Sequence, residues 1–324
     1  MLSAWRSHLF TLSLVAIGAH AATRVLRPVT DVPLPGSTSR FDYASLDAKS
    51  GRLYLSHMGA SEVVVFDVRR RETVAVLKGF RRCTGILAVP ALGRIFVSAA
   101  GSGEVVAVDA KTDKILARLP APGFPDGIAY EPTARRLFVS EEAGRAVTAI
   151  DPARLKVLAR IELGGEAGNT QVDSRARLVY TNDQTDGDLV VIDPATLAVR
   201  SRIALGIKGN HGLALDTAHH LAFIASEDED LLLVLDLQTR KIVARFRVGH
   251  EPDVLAFDPG PRRLFVASES GPLFVFRERG GTLIKEAERR VGSNAHVVVV
   301  DPATHLIYVP LKDVNGRPVL RILR

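Results

Sequence analysis

The chain has 324 residues, of which 47% are hydrophobic and 24% charged, with a formal net charge of +6. That apolar content excludes a disordered chain, and the length is enough for a large core. The one cysteine, Cys83, excludes an internal disulfide framework, so burial has to supply the stability, and Cys83 itself reads as a small buried apolar residue.

Residues 1–21 read as an export signal. Arg6 forms the positive region, Leu9–Gly18 the apolar region, and Ala19–Ala21 an A-x-A cleavage site. The apolar run is too short to cross a bilayer as a helix, and no later stretch is suited to it. The expectation is a periplasmic or secreted protein cut near Ala21, with residues 22–324 as one domain; an uncleaved interfacial anchor is the alternative.

Val25–Pro33 follows and resembles an outer strand that lacks partners of its own. Beyond it the chain repeats. The unit is clearest in Pro125–Gly164. Gly127–Tyr130 is a small and apolar first strand, Glu131–Arg136 a turn, and Leu137–Ser140 a short second strand rich in strand formers. Glu141–Arg145 contains Gly144 and reads as a hairpin loop; Ala146–Ile150 is the third strand. Asp151 and Pro152 open a turn, because Asp accepts a bond from the backbone ahead and Pro presets φ. Val157–Leu163 alternates apolar and polar residues, as a half-exposed outer strand does. No stretch has a helical period.

Second strands begin near Leu53, Ile95, Leu137, Leu178, Leu221, Leu264 and Leu306, a spacing of about 42 residues that implies a solenoid or propeller. First strands close on Asp47, Val89, Glu131, Asp173, Asp216, Asp258 and Asp301. Third strands end on Asp67, Asp109, Asp151, Asp193 and Asp236; the sixth unit breaks the rule at Phe274–Arg277. The last unit runs out after Val319–Leu323, its third strand. The expected fold is therefore all-β: a seven-bladed propeller of four-stranded blades, with the N-terminal strand completing the last blade and closing the ring.

The recurring phrase R-[LI]-[FY]-V-S followed by [VA]-x-x-[IV]-D-P-x-[TR], as in Arg136–Ser140 with Val147–Arg154, resembles the YVTN or YncE-like beta-propeller repeat family over essentially the whole of residues 22–324. That resemblance implies a periplasmic or surface-binding propeller. More distantly the chain is similar to seven-bladed sugar lactonases and to the haem d1 propeller of nitrite reductases; it has no C-x-x-C-H haem attachment.

In a propeller the first strands line the central channel. Counting back five residues from the end of each gives equivalent positions at the top mouth: Asp42, Thr84, Asp126, Gly168, His211, Asp253 and His296. The ends of second strands add His57, Glu141 and Asn182, and Asn169 lies one step along its strand. The ligand-binding candidates are His57, Asp126, Glu141, Asn169, Asn182, His211, Asp253 and His296. Of these, His211, Asp253 and His296 form the set suited to a divalent metal ion, since imidazole and carboxylate without thiolate suit a borderline or hard cation. The competing reading is a wet channel capped by polar side chains. Asn182–Asp188 mimics part of a calcium loop, but a hairpin turn on Asp186 and Gly187 explains it. No serine elbow and no helix-opening glycine loop is present.

The bottom turns are basic, with Arg52, Arg69, Arg70, Arg135, Arg136, Arg262 and Arg263 among others, while the top loops carry Glu141, Glu142, Asp183, Glu227, Asp228 and Glu269. Solvated turns account for this; a weak contact of the basic face with anionic lipid or nucleic acid is the functional alternative, and without interleaved aromatics it would be non-specific. The expected function is a non-enzymatic ligand- or protein-binding module, its partner a small ligand or periplasmic protein. The alternative is a metal-dependent hydrolase of lactonase type at the same site. An electron-transfer propeller is a third reading.

Overall fold

The computed structural model describes residues 25–324, so the expected export signal lies outside the described residues. The chain forms seven antiparallel four-stranded sheets. Blades 1 to 6 are residues 44–78, 83–120, 125–162, 167–204, 210–247 and 252–290; blade 7 combines 299–323 with 28–33. The inner strand of each blade neighbours that of the next around a ring, which is the seven-bladed propeller anticipated from the 42-residue repeat.

Closure follows the expected route. Pro28–Pro33 is the outer strand of blade 7, with Asp31 opposite Arg321 and Val32 opposite Leu320. Below the ladder, Arg27 and Arg324 exchange backbone hydrogen bonds at 2.8 and 2.9 Å. The strand starts later than Val25 because Leu26 takes φ of 62°, a turn conformation, and drops its side chain into the core, where it is fully buried. The inner strand of blade 7 is short, only Val299–Val300. Two single 3-10 turns, Met58–Ala60 and Pro90–Leu92, are the helical elements among the described residues; none is long enough to cross a membrane.

Stability lies between the blades. Seven apolar clusters each join two neighbours, and one, with Phe41, Leu53 and Leu55 against Leu306, Tyr308 and Leu320, seals the last blade to the first. Each such large side chain taken out of water stabilises the fold by about 1.5–3 kcal/mol. Cys83 belongs to the cluster between blades 1 and 2; burial pushes its thiol up to about 12, which makes it inert. Around the axis the inner strands approach too closely for side chains at some positions. A Cβ on Gly85 would stand 1.9 Å from the Asp126 carbonyl oxygen, and one on Gly212 would stand 2.1 Å from that of Asp253.

The bottom turns repeat one device. Asp151 Oδ1 accepts from the backbone of Ala153 and Arg154 at 3.0 and 2.8 Å, and Asp67, Asp109, Asp193 and Asp236 do the same two and three residues on. The arginine that opens the repeated phrase reaches the neighbouring blade: Arg52 donates to Ala110 O at 2.8 Å, Arg94 to Ala153 O at 3.1 Å and Arg136 to Ala195 O at 2.8 Å. Part of the basic bottom face is thus committed to holding blades together.

Candidate functional site: an acidic chamber on the propeller axis

Inner strands reach the top mouth through a repeated irregularity. In blades 2 to 6 the pairing with the second strand slips by one extra residue, between Cys83 and Ile86, Pro125 and Ile128, Ala167 and Thr170, Asn210 and Leu213, and Pro252 and Leu255. A bulge of this kind re-aims side chains and ends regular pairing. It also explains why these strands begin earlier than expected, at Pro125 rather than Gly127 in blade 3. The bulged residues are the mouth positions Thr84, Asp126, Gly168, His211 and Asp253.

Asp42, Thr84, Asp126, His211 and Asp253 line a chamber of about 320 Å³ with Arg40, Tyr43, Met58, Arg82, Phe124, Glu142 and Glu227. The Tyr43 hydroxyl donates to Asp126 Oδ2 at 2.9 Å and lies 3.1 Å from His211 Nε2. His211 Nε2 stands 3.7 Å from Asp126 Oδ2 and 3.6 Å from Asp253 Oδ1. Tyr43 also roofs a second, narrower void of about 160 Å³ farther down the channel, where Asn169 lies beside Thr170 and Gln171.

His296 stands just behind Asp253. Its Nε2 is 2.8 Å from the Phe41 carbonyl oxygen and its Nδ1 2.6 Å from Asp253 Oδ2. Burial would lower His296, but the bond and charge of Asp253, with Glu269, outweigh it and the nearby Arg40 and raise the imidazole above its usual value. Arg40 closes this corner, with Nε 2.9 Å from Asp42 Oδ1 and the other arm of the guanidinium on Glu269.

Burial disfavours every charge here, and the neighbours decide which ones survive. Burial alone would lower His211, but Glu227, Asp253, Asp126 and Glu142 outweigh it and carry it up to about 10. Burial pushes Asp126 up to about 7 although His211 pulls the other way, and Glu227 likewise to about 7. Burial also raises Tyr43, with the nearby carboxylates adding to it, so the phenol stays protonated. Asp253 goes the other way: burial would raise it, but the bond from His296 and the charges of His296, His211 and Arg40 hold it below the usual range.

The remaining candidates sit elsewhere. His57 stacks on Phe41 at 4.2 Å between ring centres, with Nδ1 3.1 Å from Glu62 and Nε2 3.0 Å from Ser39 Oγ. Glu141 accepts from Arg160 Nε at 3.1 Å, from the Gly123 amide at 3.0 Å and from the Thr148 hydroxyl. Asn182 donates to the carbonyls of His211 and Gly212 at 2.9 and 3.1 Å, fixing the bulge that carries His211. All three point into the fold because successive residues of a strand face opposite ways. The residue after the second strand is the one that meets the axis: Met58, Glu142 and Glu227 line the chamber, and Glu269 reaches Arg40 and His296. Counting one residue further would have found them. Asn182–Asp188 is a hairpin turn, with the Asp186 amide on Asp183 Oδ1 at 3.1 Å and Gly187 at φ of 75°.

No protein-family model matches the chain, and no curated protein sequence does. Solved structures match its shape. One from hydrazine synthase of Kuenenia stuttgartiensis superposes with a TM-score of 0.74 at 14% identity, over 91% of this chain and 97% of that one. A chain of a mitotic checkpoint complex superposes with a TM-score of 0.78 at 10% identity, over 100% and 98%. At such identities the likeness defines the class, a seven-bladed beta-propeller, and nothing narrower.

Proposed function

We propose that this chain is an exported propeller of the YVTN or YncE-like repeat kind, a binding module whose axial chamber takes a small cation or a small ligand through its cationic group. One observation carries the reading: Asp42, Asp126, Glu142, Glu227 and Asp253 converge on one chamber against Arg40, Arg82 and His211, with Arg40 already paired to Asp42 and Glu269 and His296 behind Asp253. Such an excess of partly buried carboxylate is stabilised by a positive guest. Export is supported by Arg6, the apolar run Leu9–Gly18 and the A-x-A site at Ala19–Ala21.

Small cations, both metal ions and organic amines such as putrescine and agmatine, should be titrated against the purified protein by calorimetry and by thermal shift, with gluconate and phosphate as anionic controls. At least one cation is expected to bind with one site per chain and to lose binding in Asp253→Asn. Stabilisation by the anions alone, or binding untouched by Asp253→Asn, would overturn the reading. The mature protein from an exporting host should begin near Ala22 by mass spectrometry; an intact Met1 would refute export.

A hydrolase of lactonase type is favoured by one feature. Asp126, held by Tyr43 and pushed up to about 7, is matched to general-base work near neutral pH. Turnover of simple lactones that disappears in Asp126→Asn would support it, and absence of turnover across a lactone and ester panel would remove it.

A further inference from the structure

We propose that the axial chamber holds a divalent metal ion on three protein ligands, His211 Nε2, a Glu227 carboxylate oxygen and Asp253 Oδ1. The inference rests on the reading that the chamber takes a positive guest, and it names that guest.

Geometry comes first. One ligand atom each from His211, Glu227 and Asp253 lies within 4.8 Å of the others. His211 Nε2 and Asp253 Oδ1 are 3.6 Å apart; two ligands at about 2.1 Å in a tetrahedron would stand about 3.4 Å apart. Binding draws in Glu227, on the loop after its strand, and displaces the proton that His211 Nε2 shares with the Tyr43 hydroxyl at 3.1 Å.

The second observation is independent. Asp253 is 5% exposed, and its Oδ1 has no hydrogen-bond partner among the described residues, although Oδ2 is held by His296 at 2.6 Å. A buried carboxylate oxygen left bare is costly, and here it faces the chamber beside an imidazole nitrogen and a second carboxylate. An ion at that point satisfies it.

The other groupings are already filled. Asp253, Glu269 and His296 also converge, but Arg40 occupies their centre, on Glu269 and 3.1 Å from His296 Nδ1. At the bottom, Asp216 and His219 bond each other at 2.8 Å, and Glu278 is paired with Arg262. His296 is accordingly a positioning residue: it turns Asp253 so that Oδ1 faces the axis, as outer partners of ligating carboxylates do. This replaces the sequence-based set, in which His296 was a ligand, by one in which Glu227 is. One imidazole with two carboxylates suits a first-row divalent ion such as Zn²⁺ or Mn²⁺. The remaining chamber volume leaves coordination positions open toward Asp126 and Glu142.

The test uses the full mature chain, stripped with EDTA and dialysed. Zn²⁺ and Mn²⁺ are added separately, and bound metal is read by elemental analysis after equilibrium dialysis. One equivalent of at least one ion is expected. Binding should weaken at least tenfold in Glu227→Gln and in His211→Ala, about tenfold in His296→Ala, and stay unchanged in His219→Ala. Glu227 makes no side-chain hydrogen bond among the described residues, so Glu227→Gln tests the site without removing a structural bond. Failure of both ions to bind, or binding that survives Glu227→Gln and His211→Ala, overturns the metal site. Putrescine calorimetry on the same stripped protein separates the two levels: amine binding without metal binding sinks this inference and leaves the cation reading standing, whereas failure of both sinks both.

Discussion

The two ends of the propeller use the same residue type for opposite ends. At the bottom, Asp67, Asp109, Asp151, Asp193 and Asp236 each grip two amides of their own turn. Their partners are local and the pattern is nearly unbroken. At the top, Asp126 and Asp253 meet side chains from other blades, Asp126 bonding Tyr43 and Asp253 bonding His296, while Asp42 is held by Arg40 two residues before it. There the repeat is broken at four of the seven positions, by Thr84, Gly168, His211 and His296. The charges differ accordingly. Backbone N–H bonds lower Asp109, Asp151 and Asp236, whereas burial raises Asp42 and Asp126. At the bottom the carboxylates build the blade through their own turns; at the top they gather around the axis among charged neighbours from other parts of the ring, and the proposed binding site rests on that contrast.

The largest expected effect removes the ring on which both ends depend. Deleting residues 22–34 strips blade 7 of its outer strand and takes out buried Leu26 and Leu34. The cost should be about 5 kcal/mol or more, seen as aggregation or as loss of the cooperative melt. A truncated chain that melts like the parent would break the closure.

Next comes a direct contrast between the two ends. His296→Ala leaves Asp253 buried beside a vacancy and should destabilise by about 3 kcal/mol in urea unfolding, since removing one partner of a buried pair strands the other. His219→Ala, at the bottom, breaks a half-exposed pair and should cost under about 1 kcal/mol. Equal losses would erase the distinction drawn between the ends.

Glu227→Gln should act in the opposite direction. Burial disfavours the Glu227 carboxylate, so at pH 8 in EDTA the neutral isostere should raise stability by about 1 kcal/mol while it weakens cation binding. Destabilisation would mean that Glu227 has a structural partner.

The smallest effects belong to the bottom turns. Asp151→Ala should cost within about 1 kcal/mol, and Asp151→Asn less, because the amide oxygen still accepts from Ala153 and Arg154. The pH dependence has a defined sign. The folded values of Asp109, Asp151 and Asp236 are depressed, so their contribution is present above the unfolded value of about 3.9 and is lost as pH falls through the folded values. Melting below pH 4 should therefore decline less steeply in the triple Asn variant; an unchanged slope would remove these turns from the acid response.

The bottom was legible in the sequence and the top was only half so, for a physical reason. Asp151 followed by Pro152 dictates its turn through neighbours in the chain, and a spacing of about 42 residues dictates blades. The mouth positions could be counted from strand ends, which located Asp126, His211 and Asp253. Strand ends alone point to His57, Glu141 and Asn182, which lie on the face that turns inward, whereas the axis is met by the loop residue just past each second strand, Glu142 and Glu227 among them. Arg40 and Tyr43 come from the approach to blade 1, whose inner strand starts only at Ala44, and no repeat phase marks them. The role of His296 depends on which atoms face its two nitrogens, a matter of three-dimensional neighbours and not of spacing.

The central claim is that His211 and Glu227 of one blade and Asp253 of the next gather on the axis to hold a positive ion. Crystals of residues 22–324 grown with MnCl₂ or ZnCl₂ and examined by anomalous scattering test it most directly. The account requires one peak at about 2.2 Å from His211 Nε2, a Glu227 oxygen and Asp253 Oδ1. A chamber empty of both ions, or both bound only elsewhere on the surface, would contradict it.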